Sequence, residues 1–178
     1  MSDFSTALKV LVDQYSYHNA FLLLQKHGPL NSDLLFLLEM MKERRELNID
    51  FLFAHQEQVV ILQEKYNIKL LHNPYDLELL ANYIMDLEAK VKNGLIIDFV
   101  RSVSPILYRL FMILLAQEVP LAHLIKPFDE QELYRTTQFS SQAFLDQIIF
   151  LAKVIGVEYD TVNFHYDTVN KLIIKILE

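Results

Sequence analysis

The 178-residue chain has no cysteine, only three glycines and five prolines. Without thiols, thiol catalysis, thiolate zinc sites, iron–sulfur clusters and disulfide frameworks are excluded. Gly28, Gly94 and Gly156 lie in neither a Gly-x-Gly nor a Gly-Lys-Ser/Thr pattern, which excludes phosphate-cradling loops of the Rossmann and P-loop kinds. His18, His27, His55, His72, His123 and His165 are scattered, with no two at the three-to-five-residue spacing of helical zinc ligands. Neither a metal nor a cofactor is expected, and no Gly-x-Ser-x-Gly singles out a serine nucleophile. Met1-Ser2-Asp3-Phe4-Ser5 lacks the basic start and apolar run of a signal peptide. The most apolar stretch, Ile106 to Ile125, is interrupted by Arg109, Glu118 and Pro120, short of the unbroken span of about 18 residues expected of a membrane helix. A cytoplasmic protein without membrane contact is the expectation.

Positive charge is scarce as well. Sixteen Lys and Arg against 23 Asp and Glu give a net charge of −7, which opposes diffuse attachment to a polyanion. DNA is not an expected partner, and RNA is only a weak one.

Apolar side chains, by contrast, make up 52% of the chain. At this length about 70% of the unfolded surface can be buried, enough for one core without covalent or metal staples. Leucine and isoleucine recur at steps of three and four, so the fold class is all-α, a single domain over 1–178 with eight to ten helices. Within it, 1–72 reads as a helical-hairpin region and 73–178 as the main bundle part. The first helix begins near Asp3 or Ser5, and a second runs from about Tyr17 to Lys26 before His27-Gly28-Pro29. Asn31 or Ser32 caps a third, ending among Lys42, Glu43, Arg44, Arg45 and Glu46. Asp50 caps a helix to about Tyr66, and Asn73-Pro74 opens another to Val91. Leu95 to Gln117 is the longest and most apolar element, with Pro105 expected to kink it or split it at Ser104. Pro120 to Thr137 reads as a loop or short loose helix. Ser141 to Ile155 and Asp160 to Leu177 complete the chain. Leu107, Leu110, Phe111, Leu114, Ile148 and Phe150 are placed in or near the core.

Tyr159-Asp160-Thr161-Val162-Asn163 recurs as Tyr166-Asp167-Thr168-Val169-Asn170, one heptad on, and reads as a local duplication. The polar residues that stand out are those set in apolar helix. Asp98 and Arg101, three apart, predict an ion pair, on the surface or buried. Arg101 or Arg109 offers a guanidinium fork matched to a phosphate or carboxylate, so Asp98, Arg101 and Arg109 form the candidate polar or phosphate-facing site. Lys42, Arg44 and Arg45 read as a solvated helix end because Glu43 and Glu46 lie among them.

Asp98-Phe99-Val100-Arg101-Ser102-Val103-Ser104-Pro105-Ile106-Leu107-Tyr108 resembles the Asp-x-x-Arg-x-x-x-Pro helix in type III CRISPR-associated ancillary ribonucleases, which join a ring-nucleotide-sensing CARF domain to a HEPN ribonuclease domain. Phe4 to Leu11 with Lys42-Glu43-Arg44-Arg45-Glu46-Leu47-Asn48-Ile49-Asp50 resembles the helical connection before HEPN, and Phe139-Ser140-Ser141-Gln142-Ala143-Phe144-Leu145 sits at a fitting distance. The resemblance implies a HEPN-like bundle, an antiviral defence setting and a symmetric homodimer. In such ribonucleases an Arg followed four to six residues later by a His meets its counterpart across the dimer to cleave RNA. No arginine here has a histidine at that distance. The expected function is therefore a non-catalytic helical interaction module, truncated or degenerate, lacking a CARF domain and catalytic residues. An unrelated helical adaptor with no RNA connection is the alternative.

Overall fold

The computed structural model describes residues 3–27, 31–117, 140–159 and 165–178. Among these residues there are nine α-helices and no strand: α1 (Asp3–Asp13), α2 (Tyr17–His27), α3 (Ser32–Arg45), α4 (Asp50–Ala54), α5 (Gln56–Tyr66), α6 (Tyr75–Lys92), α7 (Ile96–Ala116), α8 (Ser141–Val154) and α9 (His165–Leu177). The protein is all-α, as the periodicity implied. Local chemistry sets the helix ends. Asn31 Oδ1 accepts from the backbone N–H groups of Asp33 and Leu34, each at 3.1 Å, and Ser140 Oγ accepts from Ala143 N at 3.2 Å. Gly94 and Gly156, both at positive φ, end α6 and α8. Gly94 N donates to Val91 O and Leu95 N to Lys90 O, while Gly156 N donates to Lys153 O and Val157 N to Ala152 O, the paired bonds of a Schellman motif.

One boundary departs from the sequence reading. The single helix expected from Asp50 to Tyr66 is two, broken at His55, whose Nδ1 lies 2.8 Å from Phe51 O and whose ring stacks on Phe51 at 4.3 Å. That local contact holds His55 outside helical geometry (φ −115, ψ 32). Of the two outcomes expected at Pro105, the split at Ser104 does not occur, since α7 is one element from Ile96 to Ala116 with Pro105 inside it. The expected start of the last helix at Asp160 lies outside the described residues; the helix is described from His165, and of the first copy of the repeat only Tyr159 is described. The His27-Gly28-Pro29 stop, apart from His27, and the Pro120–Thr137 segment lie outside the described residues.

Two apolar clusters fill the interior. One joins α1 to α5 with Met85 and Ala89 of α6 and Tyr166, Val169 and Ile173 of α9. The other joins Leu80, Ala81, Ile84 and Leu87 of α6 to Phe99, Val103, Ile106, Leu110 and Leu114 of α7 and Leu145, Ile148, Ile149 and Ala152 of α8. Helix α6 contributes to both, which is why it is the most completely buried helix and carries polar side chains that must be satisfied internally. Of the expected core residues, Leu110, Leu114 and Ile148 are buried, Leu107 and Phe150 are half-buried, and Phe111 is exposed. Phe111 fails because α7 is apolar on two faces and only the Phe99–Val103–Ile106–Leu110–Leu114 stripe meets α6 and α8.

Candidate functional site

The three residues singled out in the sequence lie on α7. Arg101 Nη1 is 3.8 Å from Asp98 Oδ1, and both side chains are more than half exposed. This is a surface pair between neighbours one helical turn apart, of the kind that contributes little to stability. The Arg109 guanidinium lies over the Tyr83 ring of α6, 5.0 Å from its centroid, a cation–π contact. The structure brings Asp98 and Arg101 together and ties Arg109 to α6 instead.

The buried charge of this protein is elsewhere, at the end of α3 that the sequence presented as solvated. Arg44 is completely buried. Its Nη2 donates to Glu78 Oε1 and to Leu70 O, both at 2.6 Å, and its Nη1 donates to Asn82 Oδ1 at 3.0 Å. Asn82 Nδ2 returns a bond to Arg44 O at 2.7 Å. The second carboxylate oxygen, Glu78 Oε2, accepts from Asn73 N at 2.9 Å, Asn73 Nδ2 at 3.1 Å and His72 N at 3.3 Å. Burial by itself raises the Glu78 carboxyl; the Arg44 charge and the donors from Asn73 outweigh it and hold the group below the usual carboxylate range. Arg45 pairs with Asp86, which also takes Lys90 Nζ at 2.5 Å, and Lys90 reaches Ser102 Oγ on α7 at 2.6 Å. A line of charge-assisted bonds therefore runs from α3 across α6 to α7 and fixes how α7 sits. Lys42, by contrast, pairs with its neighbour Glu43 at 2.7 Å.

Beside Arg44 stand two histidines from distant parts of the chain. His72 Nε2 and His165 Nδ1 are 3.1 Å apart, with rings edge to face at 5.0 Å. His165 Nε2 is shut from solvent and has no hydrogen-bond partner among the described residues. Burial, reinforced by Arg44 and His72, pushes His165 well below the ordinary histidine value of 6.5, and burial lowers His72 as well. The close nitrogens need one donor and one acceptor, which two neutral rings supply and two protonated rings cannot. An unfolded chain takes up protons here below about 6.5 while the folded one resists them, so this stability is complete above that value and is lost as pH falls. The urea midpoint should therefore drop between pH 7.5 and 5.5, with each histidine contributing up to about 1.4 kcal/mol per pH unit. His72→Asn and His165→Asn proteins should each show a shallower slope than the parent, and unchanged slopes in both would refute this origin.

The Arg44–Glu78 cluster is closed to a substrate. The Arg44 and Glu78 head groups are held within the fold, and among the described residues no group of three or more His, Asp or Glu is placed to hold a metal ion. What is open is the outer side of α7. Leu95, Ile96, Ile97, Val100, Tyr108, Phe111, Met112 and Leu115 are 43–74% exposed, beside Asp98 and Arg101. By length and composition this helix is apolar enough to cross a membrane, and only 28% of its most apolar window is buried inside the fold. Its opposite side is embedded in the α6–α7–α8 cluster. Large contiguous apolar surface on a folded protein marks a contact site.

The sequence reading missed Arg44, Glu78, Asn82, His72 and His165. A usable signal existed in α6, where Glu78, Asn82 and Asp86 recur every fourth residue as a polar stripe within an apolar helix, a pattern that requires internal partners.

In comparison with protein families, residues 70–121 and 120–174 match the model described as the Cas_Csm6 HEPN domain, together more than half of the chain. No curated protein matches.

Proposed function

The chain belongs to the Cas_Csm6 HEPN domain family, and from that premise we propose that it is a non-catalytic interaction module of this CRISPR-associated family, with the outer side of α7 as its working surface. The expectation of an unrelated adaptor is set aside by the family match. The observation that carries the proposal is the coexistence of that exposed apolar face with arginines committed elsewhere. Arg44 and Arg45 are held by Glu78 and Asp86, Arg109 by Tyr83, and no arginine has a histidine four to six residues after it. Metal-independent RNA cleavage needs a group that activates the 2′-hydroxyl and a cation or donor for the charged phosphorane. Arg101 supplies only the charge, while the described histidines His72 and His165 are turned toward each other, 3.1 Å apart, and not toward Arg101.

The module works in the cytoplasm of a defence system, through protein contacts and as a homodimer. RNA contact is secondary, and DNA and membrane are not partners. A net charge of −7 and the core packing of one side of α7 support this assignment. Purified protein incubated with single-stranded RNA should release no more product than buffer. Cleavage that disappears in the Arg101→Ala or the His123→Ala protein, each with an unchanged circular dichroism spectrum, would establish an assembled active site and overturn the proposal. Cleavage that survives both changes and is lost on further purification would identify a contaminating nuclease.

A further inference from the structure

We infer that His72 and His165 form the nitrogen half of a divalent-metal site, with zinc as the fitting ion and Glu158 as the oxygen ligand that completes it. His72 Nε2 and His165 Nδ1 are 3.1 Å apart. With metal–nitrogen bonds of about 2.0–2.1 Å, nitrogens at that separation subtend an angle of about 100° at an ion, close to the tetrahedral value that zinc adopts. Spacing along the chain hid the pair, because the two residues are 93 apart and meet only where the start of α9 reaches the connection between α5 and α6. Both are half-buried, and burial keeps both rings neutral at pH 7, the form in which imidazole binds a metal. With the ring hydrogens on His72 Nδ1 and His165 Nε2, the two facing nitrogens are both free to bind.

The surroundings hold the donors in place before an ion arrives. His72 N donates to Glu78 Oε2 at 3.3 Å, and the adjacent Asn73 grips the Glu158 backbone on both sides. Glu158 N donates to Asn73 Oδ1 at 2.7 Å, and Asn73 Nδ2 donates to Glu158 O at 3.2 Å. The main chain of Glu158 is thereby fixed next to His72, while its carboxylate lies at the surface, 64% exposed, 2.6 Å from Lys69 Nζ. A surface pair of that kind is weak and gives up its carboxylate at little cost. The fixed charges around the histidines are balanced, Arg44 by Glu78 and Lys69 by Glu158, so an ion meets no net positive field and draws Glu158 toward it. Two histidines and one carboxylate are a known zinc donor set that leaves a fourth position for water. An ion there ties the α5–α6 connection, the stretch after α8 and the first residue of α9 to one point.

The full chain, washed with chelator and dialysed against micromolar zinc chloride, should retain one equivalent of zinc, and Co2+ in its place should give the strong visible bands of four-coordination. His72→Asn and His165→Asn, each with an unchanged circular dichroism spectrum, should weaken retention at least about tenfold. Two exposed positions test the site without a threat to the fold. Glu158→Gln should weaken retention, and Lys69→Ala, which frees the carboxylate from its lysine, should tighten it. A parent that retains no zinc overturns the site. Zinc held equally by the parent and both histidine variants sits on exposed histidines such as His18 or His55 and overturns it as well. Loss in the histidine variants with Glu158→Gln and Lys69→Ala both unchanged overturns the carboxylate ligand and leaves a two-nitrogen chelate.

Discussion

Replacing Arg44 by alanine should lower folding stability by about 3–5 kcal/mol, read as a fall in the urea midpoint at pH 7. The side chain is completely buried and serves Glu78, Asn82 and the Leu70 carbonyl at once. Its removal leaves a carboxylate buried against donors from Asn73 and His72 only, and leaves Leu70 O and Asn82 Oδ1 without their guanidinium donor. The electrostatics then reverse. With Arg44 present the Glu78 carboxyl lies below its ordinary value, so its contribution is complete above about 4.5 and is lost as the pH falls further. Without Arg44 the burial that already opposes the charge prevails and the carboxyl rises. The stability gap between parent and Arg44→Ala should therefore narrow as pH falls from 7 toward 4. An Arg44→Met, Glu78→Leu double replacement removes both charges and should recover much of the loss, because the penalty lies mostly in the stranded partner. Arg101→Ala, at an exposed pair, should match the parent within error. A loss in Arg44→Ala no larger than that in Arg101→Ala would place Arg44 in solvent.

The contrast between these two arginines shows where sequence reasoning runs out. Helix existence was legible because apolar residues repeat at three and four. Several ends were legible because Asn31, Ser140, Gly94 and Gly156 carry the needed groups or backbone freedom. Asp98 and Arg101 drew attention because they interrupt an apolar run, yet α7 has an open side where they meet only each other and water. Arg44 drew none because charged neighbours surround it. Its position relative to Leu37, Met40 and Met41, seven, four and three residues earlier on the buried side of α3, already pointed it inward. That its partner is Glu78, 34 residues away, depends on how α6 crosses α3, which no local pattern encodes. The same holds for His72 and His165, 93 residues apart. The candidate surface followed from a feature read as core, since an excess of apolar residues shows where a second contact can form only after packing reveals which side the core uses.

Leu110→Ala should cost about 2–5 kcal/mol, whereas Phe111→Ala, one residue on, should leave the monomer nearly unchanged. Leu110 is completely buried in the cluster shared by α6, α7 and α8. Truncation there removes apolar contacts and leaves a cavity that its neighbours, Ile84 and Ile148 among them, do not fill, because close packing already fixes each of them in the same cluster. Phe111 lies about 100° around the same helix and is half exposed, so its truncation opens no cavity. Unfolding at submicromolar concentration isolates this comparison from self-association, because a dimer contributes stability only in proportion to its occupancy. Raising the concentration should then uncover a cost for Phe111→Ala while the Leu110→Ala loss stays constant. If the dilute ranking were reversed, α7 would be rotated by about one residue, the Phe99 to Leu114 stripe would not face α6 and α8, and the outer side would have to be redrawn.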